Sequence, residues 1–446
     1  MLHREPDDDG LFGPTKLIRP TWTFWGIATV LVIVVLPYER FTGPASTRLL
    51  DGIIILLALY MALNCWRSRE RIVVPLLVPM LLILLSSLVA TILGFAYSTN
   101  ITAVIQELYL WVLVIVMTNV LLQHPLPDRN RLLKIWVIVA CVVALTTLMG
   151  MLHIGPAMFH EIPQRDRYQF EGLDRGVGTY VNPNAAAAYL SISFFIAAGM
   201  AWPMGWRILA CSWLLAGMYG TGSNGAMGTT LAAFGLLFVY ATIQRQGQRV
   251  WAWAAVISGG TAVVILLLDK APSLFSATPL AGSSLFTTSI RRISRAMRLR
   301  FQLWDVGWQA FQERPWGIGP NSASEIEASL HSDYLAFLIE RGPLGLLGWL
   351  LLLIEPLVYA VRAAQKSQAD PAQQWQMLAL GAGILASALN SAVHELSHTR
   401  PFWLLMAFIF AQSIALLRPL PQPEFVAGSW PGLPLHQADR QGASPL

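Results

Sequence analysis

The groups in this chain that could do chemistry stand out against a strongly apolar background. The stretch HSDYLAFLIERGPLG, His331 to Gly345, sets a histidine at the mouth of a hydrophobic helix, directly after the longest polar loop, and breaks at Gly342-Pro343. An imidazole, with an ordinary pKa of about 6.5, exchanges a proton near neutrality. Upstream, Arg291, Arg292, Arg295, Arg298 and Arg300 are five arginines within ten residues. A guanidinium fork matches phosphate oxygens bidentately and stays charged. Two readings stand for these residues: arginines snorkelling to anionic lipid or holding an anionic ligand, and a histidine capping a helix or serving a site. A third polar group, HELSHTR, gathers His394, Glu395, His398 and Arg400. His394 and His398 have the i, i+4 spacing that holds zinc on a helix, but we read them as polar groups lining the mouth of a site and expect no metal.

The elements that must position these groups are helices. On a 100° wheel, Ile290, Ile293, Met297, Phe301, Trp304, Trp308 and Phe311 fall within an arc of about 80°, opposite Arg291, Arg295, Arg298, Gln302 and Asp305. This pattern predicts an interfacial amphipathic helix over 290–311, with Arg300 on the flank of the apolar arc where it can reach a phosphate at the lipid surface. The cluster of Pro315, Gly317, Gly319 and Pro320 predicts a sharp turn, and ASEIEASLH a short helix delivering His331. From Ser332 three helical turns follow; Gly342 stops them and Pro343 starts the next span. If that segment is helical, Glu340 faces away from His331, whereas Glu327 shares its side.

With 55% hydrophobic and only 12% charged residues, the chain is an integral membrane protein rather than a soluble domain. Apolar windows that span, or nearly span, about 30 Å of hydrocarbon occur at 21–37, 49–66, 72–97, 101–122, 132–152, 183–202, 206–220, 224–243, 250–269, 343–361, 376–394 and 400–418. Backbone groups in lipid need internal partners, so these twelve spans are helices. With both ends on one side, the short loops and termini there hold sixteen Lys and Arg; the other side's short loops hold only Arg40, Arg48, Arg341 and Arg400. The positive-inside rule makes the richer side cytoplasmic. The expected order is a cytoplasmic tail 1–20, spans one to nine over 21–269 with an external loop 153–182, an external arginine-rich helical loop 270–342, spans ten to twelve over 343–418, and a disordered tail 419–446. The tail run Asp7 to Asp9 reads as solvated charge. The net charge of +5 is placed beside the spans, which favours membrane surface over nucleic acid. Cys65, Cys141 and Cys211 sit in apolar runs as small core residues.

Three blocks, GTYVNPNAAAAYL (Gly178–Leu190), RFQLWDVGWQAFQERPWGIGP (Arg300–Pro320) and HSDYLAFLIERGPLGLLG (His331–Gly348), together resemble the signatures of the bacterial O-antigen ligase and polymerase superfamily, most closely its ligase branch. The resemblance implies a GT-C-like, multi-pass protein of the bacterial inner membrane with its active site facing the periplasm. It implies a metal-independent glycosyltransferase, without cofactor, that moves a glycan from undecaprenyl pyrophosphate to a sugar of the lipid A core. Polymerases extend another repeat unit instead, and a third branch modifies protein hydroxyls. By position, the catalytic role falls on His331 as general base or acceptor-orienting group, and the pyrophosphate clamp on Arg300 with Arg298. The turn Thr221–Gly228 carries Asn224 where many members carry arginine, leaving Arg175, Arg298 and Arg400 as candidates for that contact. Asn182, Asn184, Asn224, Glu340, His398 and Arg400 are the remaining site-lining candidates, although Asn182 or Asn184 can equally cap a helix. Two rivals remain: a metal-dependent glycosyltransferase, thinly supported by Glu39 and Asp51, and a lipid-linked oligosaccharide transporter, which would want charge along its spans rather than outside them.

Overall fold

The computed structural model describes residues 23–38, 49–68, 71–93, 98–156, 159, 175–243, 285–323 and 330–417. The expected tails, the ninth span at 250–269 and most of the loop 153–182 lie outside the described residues. Within them the chain is helical: α1 Thr23–Val35, α2 Leu49–Ser68, α3 Leu77–Leu93, α4 Ser98–Leu122, α5 Leu126–Met151, α6 Pro183–Gly199, α7 Met204–Gly220, α8 Asn224–Ile243, α9 Leu285–Glu313, α10 Asp333–Lys366, α11 Pro371–Asn390 and α12 Arg400–Leu417. Five are long and apolar enough to cross a membrane, in α4, α5, α8, α10 and α12, and shorter apolar helices stand in α1, α2, α3 and α6. Among the described residues the protein is thus an all-helical membrane protein. Helix α3 begins at Leu77, because Pro75 and the positive φ of Leu76, 59°, hold the preceding residues out of the helix. Asn119 supplies the partners that stretch lacks, accepting from Val73 N–H at 3.0 Å and donating to Val73 C=O at 2.7 Å.

In lipid, helices gain little from burying apolar surface against one another, so close packing and interhelical hydrogen bonds carry the association. Helix α6 is enclosed on all sides from Ala186 to Gly199, which is why its sequence is apolar around its whole circumference. Two of its serines are matched to neighbours: Ser193 Oγ accepts from Trp136 Nε1 at 2.9 Å, and Ser191 and Thr230 share a hydroxyl pair at 2.6 Å. Most of α12 is equally buried.

One end of the bundle is tied by Arg129 Nη1 to Ala411 C=O at 2.6 Å, Gln376 Nε2 to Asn130 Oδ1 at 2.9 Å and Trp375 Nε1 to Ala198 C=O at 2.8 Å. Arg129, Arg131, Lys134 and Arg207 belong to this end, as do the last turns of α10 with Arg362 and Lys366. The opposite end carries the loops that enter α6, α8, α10 and α12.

On that opposite end sits a second, small core of Ile318, Ala323, Leu330 and Ile339, against which Leu303, Ala310 and Phe311 of α9 pack. The amphipathic helix expected over 290–311 is present, and it docks by a face beside the apolar arc, with Phe311 shared by both. Gly307 sets that face: a Cβ there would lie 2.6 Å from both Ile339 and Leu330. Phe301 and Trp308, on the expected arc, are left exposed.

Candidate functional site

Four loops meet above the bundle. The chain enters α10 through Leu330-His331-Ser332, and the loop 391–399 between α11 and α12 is stitched to it. Asp333, fully buried, takes Leu396 N–H at 2.7 Å and Ser397 N–H at 3.2 Å on its carboxylate, while its own N–H donates to Ser391 C=O at 2.9 Å. The backbone N–H of His331 donates to Glu395 Oε1 at 3.1 Å. These ties hold His331 at φ 48°, a left-handed conformation uncommon outside glycine. The expected short helix over 323–331 lies mostly outside the described residues.

Arg300 reaches the same place from α9. One turn on from it, Trp304 Nε1 donates to Leu330 C=O at 2.9 Å, anchoring the helix one residue from the histidine. Arg300 is half-buried, and burial lowers its pKa without removing its charge. His331 is exposed in the open site, but the protein packed behind it removes part of its hydration and Arg300 adds a like charge. Both push its pKa below 6.5, so the imidazole is neutral at pH 7. Arg298 is exposed and, two residues earlier on the helix, turned about 160° from Arg300. The structure therefore brings Arg300 to His331 and does not bring Arg298.

Arg175 lies in the loop into α6, eight residues before that helix begins. Its Nε donates to Thr221 C=O at 2.8 Å and its Nη2 to Asn184 Oδ1 at 2.8 Å, which joins that loop to the turn before α8. Asn182 is the helix cap, accepting from Asn184 N–H at 2.8 Å. Its role is thus local, and Asn184 is the one that holds an arginine. Asn224 is half-buried as the first residue of α8.

Arg400, expected near a phosphate, is committed elsewhere. Its Nε and Nη2 form a bidentate pair with the two carboxylate oxygens of Asp51, 2.8 Å each, beside the ring of Tyr109. Asp51 is thereby the partner of an arginine, which removes one of the two carboxylates offered for a metal-dependent rival. Residues 391–399 are turn and bend rather than helix, so His394 and His398 do not share a helical face. Among the described residues no three His, Cys, Asp or Glu side chains form a metal-holding group. His398 is half-buried, with its pKa pushed down to about 4, chiefly by burial and then by Arg341 and Arg400.

Glu340 is a framework residue rather than an open site carboxylate. It is buried, accepts Asn321 N–H at 2.9 Å and Ala323 N–H at 3.4 Å, and pairs with Arg341 Nη1 at 2.8 Å. Arg341 also donates from Nε and Nη2 to Glu107 of α4, while Ser87 of α3 hydrogen-bonds Glu107 Oε2 at 3.1 Å. At this point α10 kinks as expected: Gly342 takes φ 71°, ψ −173°, and a Cβ there would stand 3.0 Å from Pro315 C=O. The turn 315–320 lies against the kink through Ile318 N–H to Ile339 C=O, 3.1 Å, and Gly319 N–H to Glu340 C=O, 2.9 Å.

Neither the Asp333 clasp nor the Glu107–Arg341 link was foreseen. The only sequence signal was that Glu107, Asp333 and Arg341 are charges beside or within apolar runs, where a partner is obligatory.

The arrangement offers a neutral imidazole with a cation beside it. Residues 209–350, which carry Arg300, His331 and the kink, match the model of a family described as O-antigen ligase. No curated protein matches the chain.

Proposed function

We infer from the match of residues 209–350 to the O-antigen ligase family, whose members are glycosyltransferase-like enzymes, that the chain transfers a lipid-linked glycan at the loop-bearing end of the bundle. We propose undecaprenyl pyrophosphate as the carrier, a hydroxyl of the lipid A core as the acceptor, and the periplasmic face of the inner membrane as the setting. The observation that carries the reading is the juxtaposition of Arg300 and His331 through the Trp304 anchor. The side assignment is supported by the collection of Lys and Arg at the other end.

In the reaction the acceptor oxygen bonds to the anomeric carbon as that carbon's bond to the pyrophosphate oxygen breaks. The electron pair of the broken bond leaves with the pyrophosphate. Arg300, fixed and partly dehydrated, stabilises that growing charge. Neutral His331 takes the hydroxyl proton or orients the hydroxyl. Arg341, Glu340 and Asp333 hold the loops that place both.

The test is purified protein in lipid nanodiscs with undecaprenyl-pyrophosphate-linked glycan and, separately, lipid A core, a second glycan unit or a protein acceptor. Product is expected with the core alone. Product only with a second unit or a protein would assign the polymerase or protein-modifying branch. Movement of labelled donor across vesicles without transfer to any acceptor would replace the enzyme with a transporter.

A further inference from the structure

His394 is buried, 8% exposed, in the loop clasped by Asp333. Its Nε2 packs against the first turn of α8, where a Cβ at position 225 would stand 3.0 Å from it. The ring lies within the electrostatic reach of Arg300, His331 and Arg175 together. Among the described residues no backbone or side-chain group hydrogen-bonds the ring. Two polar atoms of the adjoining elements, Ser223 Oγ before that turn and Asn390 Oδ1 at the end of α11, are likewise buried without a partner among the described residues. Asn390 C=O accepts the His394 N–H at 2.9 Å, which places the second of these beside the histidine's backbone.

We propose that His394 is a positioning residue for the lipid diphosphate, its ring N–H completing the cradle around Arg300 at the turn where α8 begins with Asn224 rather than a cation. This rests on the reading of the site given under Proposed function. It goes beyond that reading by assigning a residue outside the matched segment 209–350. Burial, then Arg300, His331 and Arg175, push the His394 pKa down to about 3. So weak a base is a poor proton acceptor near neutrality, whereas a neutral imidazole in either tautomer keeps one N–H donor. The two histidines thus divide the work: His331 handles the acceptor proton and His394 holds a phosphate oxygen.

The experiment compares full-length wild type, His394→Gln and His394→Met in nanodiscs, the first variant keeping an N–H donor and the second keeping bulk without one. Binding is measured with undecaprenyl pyrophosphate as probe, and turnover with the glycan-linked donor. His394→Met should bind the probe about tenfold more weakly and raise KM for the donor to match, with kcat within about threefold. His394→Gln should recover most of the affinity, and the acid limb of the pH profile should be unchanged in both. Equal affinity of the Gln and Met variants overturns the proposal, as does a collapse of kcat with KM unaltered. Wild type that fails to bind the probe removes the diphosphate reading itself; wild type that binds, with both variants matching it, removes only His394.

Discussion

Replacing Arg341 with methionine keeps the bulk of the side chain but deletes its charge and all its donors. Arg341 is 3% exposed, and its partners Glu107 and Glu340 are 5% and 7% exposed. After the substitution Glu340 still accepts the N–H groups of Asn321 and Ala323, but among the described residues Glu107 keeps Ser87 alone. One carboxylate is therefore stranded where water reaches poorly, and breaking a buried pair from one side costs about 3–5 kcal/mol. Removing the stranded charge as well, in Glu107→Gln with Arg341→Met, should return about half of that loss, since no lone charge then remains. The measurement is the apparent melting temperature of purified protein in nanodiscs at one fixed scan rate, because large membrane proteins rarely unfold reversibly. Transfer activity should fall with stability in the single variant, since Glu340 and Arg341 hold the turn 315–320. A single variant that melts with wild type, or a double variant no better than the single, would refute the reasoning.

Three further outcomes are expected. His331→Ala should abolish glycan transfer while insertion and melting stay near wild type; in wild type, with the His331 pKa lowered, activity should persist through pH 7 and fall only as the pH drops below about 6.5. Asp333→Ala should release the 391–399 loop and leave Leu396 and Ser397 N–H groups unpaired, costing about 2–4 kcal/mol and exposing that loop to amide exchange; Asp333→Asn, which keeps one acceptor, should lose less. Gly342→Ala should destabilise by about 1–3 kcal/mol, read as a lower melting temperature, because φ 71° with ψ −173° suits only glycine and the new methyl meets Pro315.

What could be read from the sequence was local. The cap at Asn182, the kink at Gly342-Pro343 and the helix over 290–311 depend on neighbours a few residues away, and each is present. What could not be read was the partner of each buried charge. Arg400 finds Asp51 and Arg341 finds Glu107 across helices far apart in the chain, and hydropathy carries no trace of which pairs meet. The face by which α9 docks on the protein was hidden for a different reason. A wheel finds one apolar arc, yet this helix has two apolar neighbours, the bilayer proposed around the bundle and the small core, and the close approach at Gly307 decides which residues meet the protein. A glycine in mid-helix was the available signal. Arg300 lies on the docking side, and that placement is the reason it, rather than Arg298, reaches the histidine.

The left-handed backbone of His331 sets a trap for anyone engineering a hardier version of this protein. A residue with a Cβ is held there at a cost of roughly 1 kcal/mol, so glycine at 331 would relieve the backbone while deleting the imidazole. A library sorted only for heat resistance would enrich that replacement and discard the chemistry unseen, which makes a turnover screen in every round a necessity.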